Sequence, residues 1–424
     1  MLKNTMLAAS LLLSTALVGT SAFADVSTDA VTKQYADIAL AKYEDSLTTA
    51  MALKSAVDAL IASPSAETLQ VAKTAWLASR VPYQQTEAYR FGNAIVDDWE
   101  GRVNAWPLDE GLIDYVDASY GAENDENTLY SANVIANASV SINGETVDAT
   151  LITPEFLSSQ LHEAGEVEAN VATGYHAIEF LLWGQDLNGT GAGAGNRPWS
   201  DYSSGSDCTN GNCDRRGLYL SAATELLVTD LKEMVGNWTN EGAARAELMG
   251  DTSKAMSTIL TGMGSLSYGE LAGERMKLGL LLNDPEEEHD CFADNTHNSH
   301  LYDAVGIDNI YNGSYTRIDG TKVEGASISQ LIAEKDAAVD SELKAKLAIT
   351  VDLMQIMAKR AETGEAYDQM IGEGNAEGNA VVQAAIDGLI DQTRSIERAV
   401  AVLDLGTLEF EGSDSLDSPS AVFE

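Results

Sequence analysis

Apolar residues recur at helical spacing along most of the chain. Val31, Tyr35, Ile38, Tyr43, Leu47 and Met51 lie on one stripe that continues to Leu60, which predicts a long first helix. Ser63-Pro64 then offers a cap and a first-turn proline, and the pattern restarts through Leu69, Ala72, Trp76 and Arg80. Pro82 is expected to kink or interrupt that helix, with residues 83–96 resuming it. Periodicity lapses between 118 and 156, where Asn143-Gly144 inside a β-leaning stretch predicts a hairpin. A helix is expected from about 158 to 183. Further helices are expected near 215–237, 243–263, 267–282, 327–362 and 376–403, with an irregular stretch at 290–325. The pattern is that of an all-α chain: two antiparallel helical-bundle domains with an interdomain cleft, and one small β-hairpin insertion.

The ends and the composition sharpen the picture. Lys3, an apolar run from Leu7 to Val18 and Ala22-Phe23-Ala24 read as a cleaved secretory signal peptide over 1–24. The run is too short to span a bilayer and nothing later approaches the required length, so a protein of the periplasm or cell envelope that does not span the membrane is expected. The remaining chain is longer than one core usually organises. The expected division is 25–195, a glycine- and turn-rich connection at 196–214 that follows the glycine run at 189–195, 215–408, and a fraying acidic tail at 409–424. A formal charge of -41, from 66 acids against 25 bases, disfavours nucleic acid and anionic membrane surfaces as partners and favours cations. The same balance also serves solubility in salty water, so charge names no ligand. Cys208 and Cys213 bracket an Asn210-Gly211 turn and are candidates for a local disulfide, with Cys291 left over.

The sharpest chemical signal is Gly174-Tyr175-His176-Ala177-Ile178-Glu179, in which an imidazole and a carboxylate three apart project from one face of an apolar helix. Such spacing presents a nitrogen and an oxygen ligand to a single cation; the alternative is a buried His–Glu hydrogen bond that binds nothing. Three of the five histidines, His289, His297 and His300, fall within 284–300 beside Asp290, Cys291 and Asp294. Asp284, Pro285 and the acids 286–288 read as a helix start. Arg80 and Glu87 alternate with Trp76, Tyr83 and Phe91; Glu87 or Glu274 is a candidate third ligand or general base, and Arg80 a partner for an anionic chelate. His162-Glu163-Ala164-Gly165-Glu166 departs from the zinc-peptidase pattern at its last position, where Glu166 replaces the second histidine.

The string from Thr173 to Gly184 resembles the Gly-x-His-x-x-Glu signature of imelysin-like proteins. Trp76, Arg80, Pro82, Tyr83 and Glu87, then 104–111, Arg215-Arg216-Gly217 and 284–292, resemble the branch called iron-regulated protein A. The resemblance implies two helical bundles with the signature in a cleft between them and a role in bacterial iron uptake alongside other envelope proteins. His176 and Glu179 would then be metal ligands; Arg80, Glu87, Glu274, His289, Asp294 and His297 are candidate additional cleft residues. Iron is the first expectation for the metal, with zinc or copper allowed by the ligand types and a small metal-bearing ligand as another possible cargo. The family's peptidase label makes a metallopeptidase of envelope proteins the rival reading, and a metal-free docking module for polysaccharide or protein a third.

Overall fold

The computed structural model describes residues 26–423; the segment expected to be a signal peptide, 1–24, lies outside them. The first two helices form where periodicity places them. Helix α1 (Thr28–Ala62) is capped by Ser27, whose side chain accepts from the Ala30 amide, and α2 (Ala66–Gln84) opens with a capping box between Ser65 and Thr68. Pro82 sits inside α2, which ends two residues later. The chain does not resume that helix: a single 3-10 turn at Glu87–Tyr89 leads to Gly92 at φ +81°, and α3 (Ala94–Asn104) starts beyond it.

Strands β1 (Ser139–Ile142) and β2 (Glu145–Asp148) pair antiparallel around Asn143-Gly144, both at positive φ, as the turn signal requires. The expected helix over 158–183 is two pieces. A short helical stretch ends at Leu161, and α4 (Gly174–Trp183) begins afresh. Side-chain and main-chain hydrogen bonds hold the intervening loop. Asn170 donates to the Ala164 carbonyl at 2.6 Å and accepts from Asn127 at 2.8 Å, and the Asp109 amide donates to Ala169 at 2.9 Å.

Helix α5 (Cys213–Trp238) follows a disulfide joining Cys208 and Cys213. Then come α6 (Ala243–Gly250) and α7 (Thr252–Ser265); α7 continues as π-helix through Leu266–Lys277 and ends in a turn at Leu278–Leu282. The stretch expected to be irregular, 290–325, contains a helix, α8 (Thr296–Asn312), and a second hairpin, β3 (Ser314–Thr316) with β4 (Lys322–Glu324). Its His, Asn and Ser residues obscure an apolar stripe because several are buried with partners of their own. Helices α9 (Ile328–Lys335), α10 (Ala337–Glu362) and α11 (Ala376–Val402) complete the helical framework, with a break at Asp336, which caps α10. The all-α expectation with minimal β-structure is therefore what is observed. Among the described residues no helix is long and apolar enough to cross a membrane.

Helix α1 packs on α2 and α5, α10 on α11 and α8, and α8 also on α2, so most of the buried apolar residues form one continuous cluster from Val31 to Val400, with Ile38, Ala41 and Tyr315 in a small second one. The acidic tail does not fray as expected. Residues 410–415 lie along α7 and its π-helical continuation, where Gly264, Gly269 and Gly273 leave no side chain in the way. Ser415 donates to the Gly273 carbonyl at 2.9 Å, and Ser413 and Ser415 are buried.

Gly174 sets the placement of α4. It adopts φ +78°, and a Cβ there would lie 2.4 Å from the Val103 carbonyl oxygen, so only glycine lets the helix start against the end of α3. Gly174→Ala is expected to cost more than about 2 kcal/mol in urea unfolding; a wild-type midpoint and slope would refute this role.

Candidate functional site

Every residue of α4 is buried. Its neighbours hold it by side-chain bonds to its carbonyls: Trp76 Nε1 donates to Tyr175 at 2.9 Å and the Tyr202 hydroxyl to Leu181 at 2.5 Å. His176 and Glu179, one turn apart, face segment 284–295. His176 Nδ1 shares a hydrogen bond with Glu179 Oε2 at 3.1 Å, and Glu179 Oε1 accepts from the Ala293 amide at 2.9 Å. The ring of His289 packs edge-on to His176 with centroids 4.8 Å apart, and Trp106 flanks His176 at 5.1 Å. His176 Nε2 is buried and has no hydrogen-bond partner among the described residues.

Next to this pair lies a fully buried ion pair. Arg80 donates from Nη2 to Asp290 Oδ1 at 2.7 Å and from Nε to Oδ2 at 3.3 Å, and its Nη1 donates to Asn104 Oδ1 at 2.6 Å. Asp290 also accepts from Asn295 at 2.7 Å and from the Ser299 hydroxyl. Asn104 Nδ2 in turn lies 3.2 Å from His289 Nε2. One ligand atom each from His176, His289 and Asp290 lies within 4.8 Å of the others.

Electrostatics keeps the two imidazoles neutral. Burial, reinforced by Arg80 for His176 and by Arg275 for His289, holds both well below the ordinary histidine range. Burial and then the Asp290 charge push Glu179 well above the carboxylate range, so it retains a proton beside His176. For Asp290 burial pulls upward, but the Arg80 charge and the hydrogen bonds from Ser299 and Arg80 outweigh it and the carboxylate stays ionised below its usual range. Neutral imidazole nitrogen is the ligating form, and a cation at this point would displace the proton on Glu179. The donor set therefore fits a transition ion. Both oxygens of Asp290 and both of Glu179 already have partners, so Asp290 balances and orients Arg80, and an ion takes a carboxylate oxygen here only where one of those bonds opens.

The sequence-derived candidates divide. Arg80 and His289 join His176 and Glu179. Glu87 does not: Arg275 donates to it at 2.6 Å and also contacts Glu270 and Asp303, forming a separate buried ionic cluster. Glu274 lines a cleft of about 520 Å³ together with Glu100, Trp106, Arg275 and His289. The signature pair itself is sealed, with no exposed surface, rather than lining that cleft; the cleft reaches His289 and stops. His297 is buried against Asn298 outside the His176 group, and Asp294 groups with Asp186 and Asp368. Two participants had no role assigned from sequence. Asp290 adjoins His289 in a segment already singled out, and Asn104 opens the string Asn104-Ala105-Trp106-Pro107; neither shows locally that its partner is Arg80.

A profile of the imelysin family matches residues 39–396. The chain belongs to the imelysin family. Among solved structures it is similar to an iron-regulated protein A precursor from Parabacteroides distasonis, with TM-score 0.62 and 20% identity over 90% of this chain and 97% of that one. It is also similar to an imelysin-like protein from Psychrobacter arcticum, with TM-score 0.56 and 16% identity over 90% and 97% of the two chains. At these identities the likeness establishes a shared imelysin fold. No curated protein matches the chain.

Glu100, at the wall of the cleft, is raised to about 7 by burial and then by the Glu87 charge. In the unfolded chain it ionises near the usual carboxylate value, so a folding penalty sets in as pH rises through the window up to about 7. The melting temperature of Glu100→Gln relative to wild type, measured in chelator, is therefore expected to increase from pH 5 to pH 8. A flat or falling difference would contradict the assignment.

Proposed function

We propose that this imelysin-family chain is an exported cell-envelope protein of bacterial iron uptake. In this reading it captures iron, or a small iron-bearing ligand, with His176 and Glu179 of α4 and His289 of segment 284–295 as donors. The observation that carries the reading is the orphaned Nε2 of His176, buried and beside a second neutral imidazole. An unpartnered buried polar atom costs about 1–3 kcal/mol, and a metal ion is the partner that this donor set would take. Imidazole nitrogen with carboxylate oxygen suits iron, zinc and copper alike, and the name of the Parabacteroides neighbour supports iron as the first choice. Export is supported by the N-terminal sequence pattern and by a disulfide, which persists in oxidising compartments.

Burial of the donors favours capture over hydrolysis. A metallopeptidase needs an open coordination position for water and access for a polypeptide, whereas His176 and Glu179 expose nothing and Trp106 covers the histidine. The cleft that ends at His289 is rich in carboxylates and offers a cation its approach.

Calorimetric titration of metal-free protein with ferrous iron under anaerobic conditions, zinc and copper tests the reading. His176→Ala is expected to weaken binding of the preferred ion by roughly tenfold or more. Equal affinity in the two proteins would overturn the proposal.

A further inference from the structure

We propose that Asp186, Glu288, Asp294 and Asp368 form a second cation site, separate from the His176 pair, that takes a hard divalent ion of the calcium type. One carboxylate oxygen each from Asp186, Asp294 and Asp368 lies within 4.8 Å of the others. Asp368 is 1% exposed, yet both of its oxygens lack a hydrogen-bond partner among the described residues, as does Oδ1 of Asp294.

An independent observation comes from Glu288. It is also 1% exposed, and its Oε2 is without a hydrogen-bond partner among the described residues. A narrow pocket lined by Asp186, Glu288, Glu110 and Glu286 opens beside them. The basic side chains of this region are committed elsewhere: Arg80 to Asp290 and Arg275 to Glu87, Glu270 and Asp303. Three carboxyl groups thus lie together with Glu288 at the adjoining pocket, no protein cation among the described residues pairs with them, and burying unpaired charge is costly.

The donor set is oxygen only, without imidazole or thiolate, which suits calcium or magnesium rather than zinc or copper. Asp186 and Asp294 are partly exposed and give an ion its way in. The four residues come from three parts of the chain: Asp186 follows α4, Glu288 and Asp294 flank His289 and Asp290, and Asp368 lies in the short helix Tyr367–Ile371. An ion held there ties segment 284–295 to both other parts and so fixes the segment that carries His289. The site does not depend on metal binding at His176.

Chelator-treated wild type and His176→Ala are titrated with calcium and with magnesium, following heat and melting temperature. Both proteins are expected to bind about one ion per chain and to melt higher when loaded. Asp368→Asn is expected to weaken that binding by roughly tenfold or more, and Asp294→Asn, at a partly exposed position, to do the same should the first variant fail to fold. The proposal is overturned if millimolar calcium and magnesium give neither heat nor a melting shift, or if both asparagine variants bind as wild type does.

Discussion

The structure around the signature depends on one buried ion pair, Arg80 with Asp290. Both partners are removed from water, so each is tolerable only with the other in place; removing one partner of such a pair costs about 3–5 kcal/mol. The pair joins α2 to segment 284–295 across 210 residues of sequence. With that segment fixed, the Ala293 amide meets Glu179 and the His289 ring meets His176. The same guanidinium orients Asn104, which reaches His289. Its positive charge also helps keep His176 neutral, the state in which an imidazole can ligate.

Two sets of ligating groups of opposite character flank this segment. On one side are neutral imidazoles with a protonated carboxyl group; on the other, Asp186, Asp294 and Asp368, with Glu288 at the adjoining pocket, offer oxygen alone. Glu288 and His289 are adjacent in sequence and serve different sets, so the backbone between them couples the two. In a chain with a formal charge of -41, concentrating carboxylates at buried positions is tolerable mainly where a cation or a proton compensates them.

Much of the fold was legible from apolar spacing, because long helices such as α5, α10 and α11 bury one face each. The failures share a cause: contacts between residues distant in sequence override local pattern. The loop before α4 is held by Asn127 and Asn170, 43 residues apart, and α8 is rich in buried or half-buried His, Asn and Ser, of which Ser299 pairs with Asp290 and Asn309 with Gln85. The tail packs because three glycines leave a track on another helix, a signal that reads locally as weak helix. At the site, His176 and Glu179 were visible as an i, i+3 pair and His289 as part of a histidine-rich tract. Glu87 was placed with them as a neighbour of Arg80 beyond the Pro82 break, and Arg275 claims it instead. Asp368 carried no local signal, since its meaning lies only in what it faces.

The central claim is that imidazoles from two distant segments hold one ion. X-ray absorption of the protein loaded with a single equivalent of zinc, after calcium has been supplied in excess, tests it most directly. The account predicts two imidazole nitrogens at about 2.0–2.1 Å, one of them lost in His289→Ala. A shell of oxygen alone, or one unchanged by that substitution, would contradict it.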